Sequence, residues 1–400
     1  MRFWADLTLC FLIALAVFSG ANADALADDA SSKCLAGNAF REPEVVINQC
    51  TRALSVADVD PVDKPKLLAS LGEGYYWAGD LPDAGGVMVE ALKLDPTLNS
   101  TRIQLGWAYD RAGYPKEALK LFTEAAERDP KSGRAQFSLG ALYANSPDQH
   151  AMAKQYYETA LKLDPDYDLA HTELARYYSY WEHDYPKAIA EYDKILAKDP
   201  VLVNQEPFAS FENLQIKELF EFTLYNKSFL LMDMGRFDEG VSIVNELIKK
   251  YPEQGVLYSV LAMGLADLKR YDEAIAQADK ALVAKLPCVC GLGTKMISQY
   301  KLKKFDDALV TVSQIKTMTK KKEVISEAFF YEGLINKQRG DIPRAKDAFL
   351  KSFSTDEFYL GAGITQLIQH GYYVGAASDP FTEKVLNALD ACMLDETCLS

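Results

Sequence analysis

The hexapeptide Ala91-Leu92-Lys93-Leu94-Asp95-Pro96 returns unchanged at Ala160-Leu161-Lys162-Leu163-Asp164-Pro165, 69 residues further on. Prolines continue the series at Pro96, Pro130, Pro165 and Pro200, spaced by 34, 35 and 35 residues, so the 69 is two periods of one repeat. Ahead of each proline lies an apolar pattern of helical period, and about 24 residues earlier lies a second that contains Leu-Gly or its equivalent. Each unit therefore reads as two helices and a turn. Proline closes the second helix because it lacks an N–H and disfavours helical geometry in the residue before it.

The first unit runs Leu71-Gly72-Glu73-Gly74-Tyr75, then Ala84, Met88 and Ala91. The second runs Leu105-Gly106-Trp107-Ala108-Tyr109, then Ala118, Phe122 and Ala125. The third runs Leu139-Gly140-Ala141-Leu142-Tyr143, then Ala153, Tyr157 and Ala160. Glycine and alanine let helices approach closely, and the large residue between them fills the gap. A fourth unit, Leu174-Ala175-Arg176-Tyr177-Tyr178 with Ala188 and Tyr192, is looser, and units three and four each hold one extra residue between their helices, around 147–150 and 183–186. This pattern resembles the tetratricopeptide repeat family over roughly residues 65–355. The resemblance implies an all-α fold, a right-handed α-solenoid of helix-turn-helix repeats closed by helical caps.

Pro200 and Pro252 stand 52 residues apart, so residues 201–220 read as an inserted helix or linker between a four-repeat block at 65–200 and a second block at 221–357. The second block holds about four weaker repeats, recognised mainly by their turns: Met234-Gly235-Arg236-Phe237, Leu268-Lys269-Arg270-Tyr271, Phe305-Asp306-Asp307-Ala308 and Arg339-Gly340-Asp341-Ile342. Terminal repeats need caps. Residues 24–64 supply a helical hairpin turning at Arg41–Glu44, in which Cys34 and Cys50, each eight residues from Glu42, face one another as a disulfide. Residues 358–400 supply the other cap, with a helix over Pro380–Leu394 that a Cys392–Cys398 disulfide ties down.

Arg2 is followed by an uncharged run from Leu7 to Phe18 and by Ala21-Asn22-Ala23, which reads as a secretory signal peptide over residues 1–23 with cleavage before Asp24. No later stretch reaches the roughly 20 apolar residues of a membrane helix. The six remaining cysteines, an even number, suit disulfides in an oxidising compartment. A periplasmic location is expected, with secretion as the alternative. Residues 24–200 carry 19 basic and 29 acidic side chains, and the whole chain is at −14, which repels phosphate backbones and makes nucleic acid a poor partner.

Catalytic and metal signals are weak. His150, His171, His183 and His370 are scattered, and no nucleophile elbow, phosphate loop or dinucleotide fingerprint is present. Neither a metal nor a cofactor is expected. Cys288-Val289-Cys290 is the one local cluster; it reads as structural, with redox exchange as the alternative and soft-metal binding a distant third.

The resemblance implies a non-catalytic scaffold or adaptor that holds a peptide or partner helix in a concave groove lined by the first helices, in the service of envelope assembly or secretion. Carried onto this chain, the groove positions of the first block are Lys66, Glu73, Tyr76, Trp77, Ile103, Trp107, Asp110, Arg111, Arg134, Phe137, Asn145, Arg176 and Tyr180. Their charge is positive within an acidic half, which suits an acidic, aromatic-containing segment. Tyr225 and Phe229 extend the set into the second block. The competing reading is a glycan or envelope-polymer module whose aromatic groove stacks sugars. Partner identity and oligomeric state are not legible.

Overall fold

In six of the hairpins, the residue that joins the two helices takes the left-handed conformation: Gly79 (φ 91°), Gly113 (84°), Gly235 (77°), Lys269 (61°), Lys303 (59°) and Gly340 (79°). The next N–H then donates to the carbonyl five residues back, as from Asp80 to Tyr75 (2.9 Å), Arg270 to Leu265 (2.8 Å) and Lys304 to Gln299 (2.8 Å), the long bond of a Schellman close. Between hairpins the chain turns on an aspartate. Oδ1 of Asp95, Asp129 and Asp164 accepts the N–H of Thr97, Lys131 and Asp166, at 2.9, 3.1 and 3.2 Å. The Leu-Asp-Pro of the repeated hexapeptide is thus a helix end, an Asx turn and a fixed φ in succession.

The computed structural model describes residues 29–55, 59–146, 148–203, 219–393, 395 and 398–399. The signal peptide read at 1–23, and most of the insertion read at 201–220, lie outside them. The described residues fall in two compact units that divide after Ala197, each an all-α solenoid of helical hairpins.

The first unit opens with a helix over 29–36, α1, packed on α2 (Pro43–Leu54). Their connection spans 37–42, earlier than the expected 41–44, because Pro43 already sits in the first turn of α2, where its missing N–H costs nothing. Cys34 and Cys50 are buried at the hairpin's centre with Cα atoms 4.8 Å apart, within the range a disulfide spans. Four hairpins follow: α3 (Lys64–Ala78) with α4 (Leu81–Leu94), α5 (Asn99–Arg111) with α6 (Pro115–Arg128), α7 (Gly133–Ala144) with α8 (His150–Leu163), and α9 (Asp168–Tyr177) with α10 (Tyr185–Leu196). The small and large residues of the repeat interlock as their sizes require. A Cβ on Gly72, Gly106 or Gly140 would lie 2.5, 2.4 or 2.7 Å from the side chain of Met88, Phe122 or Tyr157.

The extra residues of repeats three and four are absorbed differently. In repeat three the connection from Asn145 to Gln149 is lengthened. In repeat four the first helix widens into a π turn, Tyr178–Glu182, His183 takes φ 53°, and Asp184 N–H reaches back six residues to Tyr178, one more than in its neighbours. The insertion therefore lies before His183, inside the helix end, and the following helix keeps its register.

The second unit starts with the short α11 (Pro200–Val203) and builds five hairpins: α12 (Leu219–Asp233) with α13 (Phe237–Lys250), α14 (Gly255–Asp267) with α15 (Tyr271–Val283), α16 (Leu292–Lys301) with α17 (Phe305–Met318), α18 (Lys322–Gln338) with α19 (Ile342–Thr355), and α20 (Glu357–Gln369) with α21 (Glu383–Cys392). Its turn residues 235, 269 and 303 recur at 34. α21 is shorter than the expected Pro380–Leu394 helix and starts after Thr382. Cys392 and Cys398 are buried, Cα atoms 5.6 Å apart, and Lys337 Nζ donates to the carbonyls of Asp395 and Cys398.

Candidate functional site

The first helices of the first unit, α1, α3, α5 and α7, enclose a cleft of about 360 Å³. Its α3 wall presents Lys66, Ala69 and Glu73, three positions of one helical face, because residues three and four apart project together. Ser100, Thr101 and Gln104 come from α5, and Arg134 from the first turn of α7. The stripe expected from the repeat pattern thus brings Lys66, Glu73 and Arg134 together. The hydroxyls and the Gln104 amide were not foreseen, since they lie beside the stripe rather than on it.

Glu73 is the most confined charge of the cleft. Burial pushes its carboxyl above the ordinary value of 4.5; Arg134 and the nearby indole N–H of Trp77 pull the other way without cancelling it. Gln104 Nε2 donates to Glu73 Oε1 at 3.2 Å. Lys66 pairs with Asp63 at 3.2 Å on the exposed rim, an interaction of little strength. Arg134 is exposed; its charge acts on Glu73 through space, but its guanidinium makes no hydrogen bond or ion pair among the described residues. A guanidinium with five donors and no carboxylate fork is the free binding group of this cleft.

The other expected groove residues are more deeply engaged. Tyr76 and Phe137 are buried, at 6% and 8% exposure, and Ile103 is buried as well. Arg111 stacks on Tyr76, 4.7 Å from its ring, and donates to the Tyr76 carbonyl at 3.1 Å. Trp107 packs on Phe122 at 5.1 Å and Phe137 at 6.3 Å, and Trp77 meets Phe40 edge-on at 4.7 Å. These rings pack the helices against one another. Arg176 Nη1 donates to both carboxylate oxygens of Glu173, at 2.9 and 3.0 Å. Tyr180 is 64% exposed on the π turn beside Trp181, whose ring stacks on His150 at 3.6 Å. Tyr225 and Phe229 meet edge-on at 5.0 Å, half-buried on α12 of the second unit. Asp110 is half-buried on α5, which pushes its carboxyl up, and Asn145 ends α7.

His171, which no motif singled out, is buried with Nδ1 2.6 Å from Glu191 and Nε2 2.9 Å from the Pro165 carbonyl. It stands six residues after its proline, as do Arg102 and Tyr258, which donate to the Pro96 and Pro252 carbonyls at 2.9 and 3.1 Å. These three side chains seal hairpin junctions. No group of three His, Cys, Asp or Glu able to hold a metal ion occurs among the described residues.

Residues 103–168 and 228–287, one stretch in each unit, match the family model of the tetratricopeptide repeat. These stretches are tetratricopeptide repeats. Solved structures of similar fold include a tetratricopeptide repeat protein from Parabacteroides merdae, 21% identical, which covers 66% of this chain and 97% of its own at a TM-score of 0.46. Another is pilF of Pseudomonas aeruginosa, 19% identical over 58% of this chain and 94% of its own, TM-score 0.42. A third is a chain of the APC/C hetero-tetramer Cut9-Hcn1, 13% identical over 82% of this chain and 59% of its own, TM-score 0.50. At these identities the likeness is one of fold alone. No curated protein sequence matches the chain. The matched stretch 103–168 contributes Gln104 and Arg134 to the cleft, whose other lining comes from residues before it.

Proposed function

We propose that the protein is an exported, non-catalytic adaptor that holds an acidic segment of a partner protein along the first helices of its first unit. The observation that carries this reading is Arg134, a free guanidinium at the mouth of a polar cleft within a half that is otherwise acidic. A carboxylate entering there takes a bidentate pair from Arg134 and further donors from the serine and threonine hydroxyls of α5. Lys66 adds long-range attraction at the rim, which favours encounter more than final affinity.

Export rests on the signal-like start and on three cysteine pairs whose Cα atoms stand 4.8, 5.3 and 5.6 Å apart, all within disulfide range. Service in envelope assembly or secretion follows from that compartment. The test is affinity capture from the native envelope with the full chain and its Arg134→Glu variant. A partner held by the wild type and lost by the variant, at an unchanged thermal midpoint, supports the reading; equal capture by both contradicts it. The glycan reading has one observation of its own, the exposed Tyr180 and Trp181 on the π turn. It predicts oligosaccharide binding that Trp181→Ala abolishes and Arg134→Glu leaves alone.

A further inference from the structure

Two of the three cysteine pairs are sealed in cores. Cys34 and Cys50 lie among the α1, α2 and α3 side chains, and Cys392 and Cys398 in the core of the terminal hairpin, each with an exposure of 1% or less. Cys288 and Cys290 differ. They occupy the connection between α15 and α16, where Val289 and Cys290 are exposed and Cys288 is half-buried. Their Cα atoms are 5.3 Å apart, and the Cys290 N–H donates to Cys288 Sγ at 3.3 Å.

The backbone before the pair is pinned. Cys288 N–H donates to the Ala281 carbonyl at 2.9 Å, while Leu286 exchanges bonds with Glu253 and Gly255 at 2.9 and 2.8 Å. Cys288 is therefore held at a fixed place by groups outside the pair, and opening its link to Cys290 leaves those bonds intact. The link also closes the shortest loop of the three, two residues against six and sixteen, so it constrains the unfolded chain least and its loss costs the fold least. An exposed link of small structural value is the kind that exchanges, whereas buried links resist reduction.

We propose that Cys288 and Cys290 form a redox-active dithiol/disulfide couple that exchanges with dithiols of a partner protein. A partner thiolate attacks the exposed Cys290 Sγ. A mixed disulfide forms, the Cys288–Cys290 bond breaks, and its electron pair leaves on Cys288 Sγ as a thiolate, which the Cys290 N–H stabilises before a proton from water arrives. The partner's second thiolate then attacks its own sulfur in the mixed disulfide and releases Cys290 as a thiolate. The partner dithiol has lost two electrons and two protons to become a disulfide; the couple has gained them. The reverse reaction delivers electrons to an oxidised partner.

The full-length mature chain is equilibrated in glutathione buffers of graded ratio, alkylated, and read by peptide mass spectrometry. The expected result is that Cys288 and Cys290 change state within the series, reduced at least about tenfold more readily than the Cys34 and Cys392 pairs. Cys288→Ser should leave Cys290 holding a stable glutathione adduct, because the resolving thiol is gone, and Cys290→Ser should hold at least about tenfold less. Equal response of all three pairs, or a Cys288–Cys290 pair that stays in one state throughout, overturns the proposal. So does a Cys288→Ser chain that folds normally and holds no adduct.

Discussion

Gln104 in α5 donates from Nε2 to Oε1 of Glu73 in α3 at 3.2 Å, joining two adjacent repeats at the floor of the cleft. The carboxylate it contacts is half-buried, and its partial burial is what lifts the Glu73 carboxyl above its ordinary 4.5. The folded chain then binds that proton more tightly than the unfolded one, so stability falls as pH rises from 4.5 through the raised value and recovers on acidification. Glu73→Gln keeps an acceptor for Gln104 and removes the half-buried charge. Its thermal midpoint should exceed the wild type by about 2 °C or more at pH 7, with the gap closing by pH 4. A gap that widens towards pH 4 would show that the charge stabilises the fold.

Tyr157 fills the slot in repeat three that Phe122 fills in repeat two, against Gly140 and Gly106 respectively. Its hydroxyl is buried with no hydrogen-bond partner among the described residues, and burial pushes the phenol far up. Tyr157→Phe removes an orphaned polar atom and nothing else. Denaturant unfolding should show a gain of about 1 kcal/mol; a loss would mean that a water satisfies the oxygen.

Lys269 and Lys303 hold the left-handed turn position that glycine holds at 79, 113, 235 and 340. A side chain there crowds its own carbonyl, a cost of about 1–2 kcal/mol that exceeds the added entropy of glycine in the unfolded chain. Lys269→Gly and Lys303→Gly should each stabilise by up to about 1 kcal/mol in equilibrium denaturation. Gly235→Ala should do the reverse by a similar amount, and opposite signs in either series would refute a shared turn geometry.

The repeat was legible because its signals are backbone punctuation and residue size. Leu-Asp-Pro writes an Asx turn, and Gly72 with Met88 or Gly106 with Phe122 writes a contact that only those sizes permit. Gly333 and Phe349 write the same contact at 2.8 Å with the same spacing of 16, a cue to the α18–α19 hairpin that the missing Leu-Gly-Tyr triplet hid. The π turn at Tyr178–Glu182 was not legible, since an extra residue can enter a helix end or a loop without changing composition. The cleft was half legible. The groove positions that the resemblance carries onto the first helices include Lys66, Glu73 and Arg134, which line it. The resemblance could not tell that Arg111 would lie on Tyr76, or that Arg176 would turn to Glu173, because those choices depend on rotamers and neighbours.

Whether the cleft at Arg134 takes an acidic segment is tested most directly by selection of a random-peptide phage library on the immobilised full chain. Enrichment of peptides rich in Asp and Glu is expected, lost when Arg134→Glu replaces the wild type and regained, at least about tenfold, by peptides carrying Lys or Arg. Enrichment of uncharged or basic peptides on the wild type, or acidic peptides that bind Arg134→Glu equally well, would contradict it.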